Sequence, residues 1–108
     1  MKKATATAAL AEYLDRFHAA LVILSGEARG LEYRLDQPKT ALGRGPGVDL
    51  ALDDASLRCR HAIVEFRAGA FVLRDFDADS GLELKDGDRF RLGDLELGFT
   101  QIRRDARQ

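Results

Sequence analysis

The spacing of apolar residues along this chain changes once. Between Ala8 and Phe17, Leu10, Leu14 and Phe17 recur at intervals of three and four, which places them on one face of a helix, and Thr7 stands where an N-cap would. After His18 the pattern is one of short strands: Leu21–Leu24, Leu31–Leu35, Thr40–Leu42, Ala62–Phe66, Ala70–Leu73, Leu82–Leu84, Phe90–Leu92 and Leu95–Phe99. Turn-forming residues separate them, namely Ser25-Gly26 with Arg29-Gly30, Ala68-Gly69, Lys85-Asp86-Gly87-Asp88 and Gly93-Asp94. No segment between strands has the length of a crossover helix, which excludes a parallel βαβ fold. The pattern predicts an all-β chain, an antiparallel β-sandwich with a short N-terminal helix. It divides into a helical extension over 1–18, a sandwich domain over 19–102 and a polar tail over 103–108. The helix is expected to be an appendage that lays Leu14 and Phe17 on the edge of the next element.

Composition narrows the function. The 108 residues, 45% of them hydrophobic, suit one domain with its own core. The 17 basic and 18 acidic residues leave a net charge of -1, so no global field draws the chain to nucleic acid or anionic lipid, and any anion site must be local. Phe66, Phe71, Phe76, Phe90 and Phe99 fall on or beside strands and read as packing groups, not as a platform for stacking bases. The single cysteine, Cys59, cannot form an internal disulfide, no run approaches a membrane span, and no apolar signal core follows Met1-Lys2-Lys3. The expectation is a cytoplasmic monomer that binds neither nucleic acid nor membrane.

Several motifs suggest chemistry and then fail its requirements. Asp75-Phe76-Asp77-Ala78-Asp79-Ser80-Gly81 has the spaced carboxylates of a calcium loop, but the sixth position is Ser80 where glycine is needed and the twelfth is Asp86 where glutamate is needed. Gly43-Arg44-Gly45-Pro46-Gly47 lacks the Lys-Ser/Thr pair and the following helix of a nucleotide-binding loop. Cys59 and His61 lie two apart, without an orienting third group for nucleophilic catalysis or enough ligands for a metal. No catalytic residue, metal or cofactor is expected.

What remains is a loop pattern. Gly43-Arg44 follows one strand, and Asp54-Ala55-Ser56-Leu57-Arg58-Cys59-Arg60-His61-Ala62 leads into another. Leu21 to Gly26 with Gly30 to Tyr33 opens the sandwich, and Lys85 to Asp94 closes it. Over roughly residues 19–102 the chain resembles the forkhead-associated (FHA) family, whose members read phosphothreonine in partner proteins through loops at one end of a β-sandwich. The resemblance implies that Gly43-Arg44 and His61-Ala62 match the family's Gly-Arg pair and the end of its Ser-Arg-x-His run. Aligned on His61, the family's phosphate-binding serine falls at Arg58 and its neighbouring basic residue at Cys59. Its threonine and asparagine fall at Asp79 and Ser80, and Gly81 keeps the glycine that follows.

Phosphate recognition depends on converging cationic donors, and a guanidinium offers two parallel hydrogen bonds to a phosphate dianion. Arg44 fits that role. Arg58 would replace the lost serine contact and join Arg44 and Ser56 in a reshaped anion pocket with Asp79 and Ser80 at its rim. Gly43, His61 and Gly81 would support the loops. The expected function is a non-catalytic interaction module for a protein partner, one phosphorylated on threonine by the family's implication, with weakened or altered phosphate recognition. The other reading pairs Arg58 with Asp79, closes the pocket and leaves a phospho-independent scaffold.

Overall fold

Alternating burial along the strands builds two sheets that enclose one core. In a computed structural model of the chain, which describes residues 2–78 and 80–104, a helix α1 (Lys2–Arg16) is followed by nine strands. These are β1 (Phe17–Ile23), β2 (Glu32–Arg34), β3 (Lys39–Gly43), β4 (Leu50–Ala51), β5 (Ala62–Arg67), β6 (Ala70–Asp75), β7 (Leu82–Glu83), β8 (Arg89–Leu92) and β9 (Leu95–Arg103). One sheet has the order β2-β1-β9-β8 and the other β4-β3-β5-β6-β7. All pairings are antiparallel except β3 with β4, a two-residue parallel contact of Leu42 with Leu50 and Gly43 with Ala51.

The inward residues of each sheet form the core. Ala19, Leu21 and Ile23 alternate along β1, and Leu97 and Phe99 face them from β9. Leu42, Val64 and Phe71 close the core from the second sheet. Register comes from two-residue turns: Ala68 and Gly69, both at positive φ, join β5 to β6, and Gly93 (φ 58°) begins the turn between β8 and β9. The alanine at φ 53° tolerates a left-handed conformation that glycine adopts freely, because the twist of a hairpin demands it.

Several elements differ from the sequence pattern. The helix starts at Lys2, so Thr7 lies inside it and does not cap it; the alanine-rich run through Ala9 carries the helix toward the N-terminus. Phe17 and His18 belong to β1, because β9 runs on to Arg103 and pairs with them. Strand β4 was not legible, since two residues show no period. Residues 105–108 of the expected tail lie outside the described residues.

The helix is part of the core, not an appendage. Leu10 and Tyr13 are buried, while Leu14 and Phe17 are partly buried against the same cluster. The Tyr13 ring packs edge-on to Phe66 and Phe71, with centroids 5.2 and 5.3 Å away, and its hydroxyl donates to Gln101 Oε1 at 2.6 Å. Burial pushes that phenol up to about 12, so it remains a donor throughout the ordinary pH range. Because Phe66 is near the end of β5 and Phe71 near the start of β6, the helix covers the end of the sandwich opposite the loop that precedes Ala62.

Candidate functional site

At that far end, the loops after β3, before β5 and after β6 are tied together by backbone hydrogen bonds. The Arg44 amide donates to the Arg58 carbonyl (3.0 Å), the Gly45 amide to Cys59 (3.2 Å), and the His61 amide to Leu42 (2.9 Å). Gly43 is required by space, not by its φ: a Cβ there would fall on the Cys59 carbonyl, with the carbonyl carbon at 2.8 Å and Arg58 O at 3.1 Å. Arg44 therefore projects from a corner whose backbone is held on its neighbour segment. Its guanidinium meets Asp53 at 3.7 Å, beyond hydrogen-bond length, and the Asp53 side chain is 91% exposed. Such a pair contributes about 0–1 kcal/mol and rearranges readily.

His61 braces the next turn. The Arg58 amide donates to its Nδ1 at 3.1 Å, and its own carbonyl accepts from the Phe76 amide at 3.0 Å and from Arg58 Nη2 at 3.3 Å. Burial, and then the Arg58 charge, hold the His61 imidazole below its ordinary pKa, which suits an Nδ1 that must stay an acceptor. The Arg58 guanidinium lies on the Asp75 carboxylate, with Asp77 at 4.0 Å from Nη1. Asp79, and with it the expected Arg58–Asp79 pair, lies outside the described residues; Asp75 and Asp77 are the carboxylates that Arg58 meets among the described residues.

Ser56 is engaged by internal partners. Its hydroxyl donates to Asp54 Oδ1 at 2.6 Å and accepts from the Asp94 amide at 2.8 Å, and its amide also donates to Asp54 at 2.9 Å. With the hydroxyl proton held by Asp54, Ser56 fastens the β8–β9 turn to this loop. Gly93 is matched to that contact, since a Cβ there would stand 2.6 Å from the Ser56 carbonyl oxygen.

Ser80 and Gly81 lie on a different part of the same end. With His61, Leu73, Asp75, Leu82 and Leu92 they line a groove of about 430 Å³ between the two sheets. Gly81 passes so close to β6 that a Cβ would stand 2.6 Å from the Leu73 carbonyl oxygen. The structure thus brings Arg44 and Arg58 onto hydrogen-bonded neighbouring segments, and places Ser80 beside Asp75. Sequence reasoning passed over Asp53, Asp75 and Asp77 as partners. The signal lies in the spaced carboxylates of 75–79, of which the sequence reading pairs Asp79 alone with Arg58; no group of three or more His, Cys, Asp or Glu among the described residues is arranged to hold a metal.

The site's ionisation gives a testable pH dependence. Hydrogen bonds from the Ser56 hydroxyl and amide hold Asp54 below the usual carboxylate range, and the Asp77 amide, with Arg58, does the same for Asp75. Stability from these carboxylates is present above the ordinary value of about 3.9 and is lost as pH falls through their lower folded values. His61, with a depressed folded pKa, adds a loss that begins as pH falls below about 6.5, because the unfolded chain then binds the proton more readily. The urea midpoint should therefore fall between pH 7 and 5 and fall further below pH 4. A flat midpoint from pH 7 to 5 would contradict the placement of His61.

A two-sheet sandwich with a helix over one end and arginine-bearing loops at the other defines a protein-interaction module. The family model described as the cytoplasmic domain of an inner membrane component of the T3SS matches residues 22–103. The oxoglutarate dehydrogenase inhibitor of Corynebacterium glutamicum is 32% identical over 112 residues, covering 92% of this chain and 78% of the relative. The glycogen accumulation regulator GarA of Mycolicibacterium smegmatis is 33% identical over 98 residues, covering 82% of this chain and 62% of the relative. A structure solved for phosphothreonine-dependent FHA domain interactions shares the fold, with a TM-score of 0.66 at 24% identity over 77% of this chain and 95% of that one. The chain belongs to the forkhead-associated family. Among the described residues no helix is long and apolar enough to cross a membrane.

Proposed function

We propose that this module binds phosphorylated protein partners at its loop end, with Arg44 as the principal phosphate contact and with weaker phosphate recognition than a full set of loop donors would give. The observation that carries this reading is the Arg44 corner: a backbone fixed by Gly43 and the 58–59 segment, and a guanidinium opposed by one exposed carboxylate at 3.7 Å. Arg58 stands on the adjacent segment as a second cation, and Ser80 borders the groove into which a bound peptide would extend. With the Ser56 hydroxyl committed to Asp54, the site relies on charge more than on neutral donors. No step of chemistry is assigned to it; the relatives named above are an inhibitor and a regulator. A reducing compartment such as the cytoplasm accords with the exposed, free Cys59.

The test is binding of a degenerate phosphothreonine peptide pool and its unphosphorylated counterpart to the wild type and to Arg44→Ala. Losing one charge-assisted contact, worth about 1.5–3 kcal/mol, should weaken the phosphorylated pool roughly tenfold to a hundredfold and leave the other unchanged. Unaltered binding of the phosphorylated pool would remove Arg44 from the site. A second reading, a phospho-independent scaffold, is favoured by one observation: Arg58 is already held by Asp75 and Asp77. It predicts equal binding of the two pools.

A further inference from the structure

The loop end already contains an anion seated on one of its arginines. Asp75 is the last residue of β6, and its two carboxylate oxygens are both engaged: Oδ1 accepts from Arg58 Nη2, and Oδ2 accepts from the Asp77 amide at 3.2 Å. Asp77 places a second carboxylate 4.0 Å from Nη1 of the same guanidinium. Arg58 is fixed from behind as well, since Nη2 reaches the His61 carbonyl and its amide reaches His61 Nδ1. This arrangement adds little to stability, because the side chains of Arg58, Asp75 and Asp77 are 51%, 48% and 81% exposed and their attraction is screened by water. What it changes is the charge that an incoming ligand meets.

We propose that Asp75 and Asp77 are specificity-determining residues of the loop-end site, an internal anion that a ligand must displace from Arg58. The proposal rests on the reading that this end takes a phosphorylated peptide. A glutamate side chain of a partner offers one negative charge and two oxygens, so it exchanges one carboxylate for another with no gain at Arg58. A phosphate carries close to two charges and three acceptor oxygens, so it can engage Arg44 and Arg58 together and repay the displacement. The carboxylates therefore lower affinity for every anion but lower it most, in effect, for acidic peptides, which lack the second charge.

The experiment uses three degenerate peptide pools that differ at one central position, phosphothreonine, threonine or glutamate, with affinity read by fluorescence anisotropy. Asp75→Asn keeps a side-chain oxygen for the Asp77 amide, so the Asp75→Asn/Asp77→Asn protein is expected to fold, with the Phe71 and Phe99 amide resonances as the check. It should bind both charged pools more tightly than the wild type, the glutamate pool by the larger factor, roughly fivefold or more, with the threonine pool unchanged; an equal gain in the two charged pools would leave specificity unmoved and overturn the proposal. Adding Arg58→Gln should abolish that gain. Unchanged affinity for both charged pools overturns the proposal, and so does a gain that survives Arg58→Gln, which would reflect bulk charge alone. If the double variant does not fold, Asp77→Asn by itself, on a largely exposed side chain, must show a smaller gain of the same Arg58 dependence or the proposal fails. The two failures separate cleanly: a wild type that binds all pools equally contradicts the phosphopeptide reading, while an Arg58-dependent gain in the double variant would still support the internal anion.

Discussion

Phe71→Ala should lower stability by about 4 kcal/mol, a large fraction of what a domain of this size possesses. Phe71 is 1% exposed and lies where four elements meet. Its ring contacts Tyr13 of the helix at a centroid distance of 5.3 Å, Phe66 of β5 at 5.2 Å and Phe99 of β9 at 6.3 Å. Truncation removes the ring's burial and leaves a cavity bounded by two sheets and a helix, none of which can collapse into it without breaking strand register. At roughly 4–8 °C per kcal/mol, the melting temperature should drop on the order of 20 °C. Thermal and urea melts check this; a loss below about 1 kcal/mol would mean that the helix and the sheets are not joined through this residue.

Gly43→Ala should cost about 2–4 kcal/mol although it adds one methyl group and no φ strain. Strand β3 is enclosed on both sides at this point: the Leu52 amide donates to the Gly43 carbonyl at 2.9 Å from one side, and the 58–59 segment approaches from the other. The added Cβ would meet the Cys59 backbone, which the Gly45 amide holds and which cannot retreat like the tip of a flexible side chain. Relief requires parting the Arg44 corner from the Arg58 segment, so the variant should also weaken any ligand that uses both arginines. An unfolding free energy from urea melts within about 0.5 kcal/mol of the wild type would show that the two segments are not locked together.

The division between what the chain's sequence revealed and what it hid follows from the range of each interaction. Strands such as β5 and β6 were legible because alternation and turn residues are local, and Ala68-Gly69 marks their turn directly. The resemblance singles out Gly43, Arg44 and His61 because it rests on short motifs. The full length of β9 was hidden, since Gln101, Ile102 and Arg103 are strand residues only through their pairing with β1. The helix's place in the core was hidden for the same reason: Tyr13 is buried by Phe66 and Phe71, more than fifty positions away. The internal partners of Ser56 and Arg58, Asp54 with Asp94 and Asp75 with Asp77, were hidden because they are set by how loops stack at the sandwich end. Residue type identified candidate chemistry; only the fold shows which of those groups are already engaged.

The most direct measurement is an amide NMR titration of the wild-type protein with the phosphothreonine pool and, separately, with its unphosphorylated counterpart. Shifts at Arg44, Gly45 and Arg58 should appear only with phosphate, while residues around Tyr13 at the helix-covered end stay unmoved. Shifts of equal size with both pools, or phosphate-dependent shifts confined to the helix end, would contradict a phosphate site at the loop end.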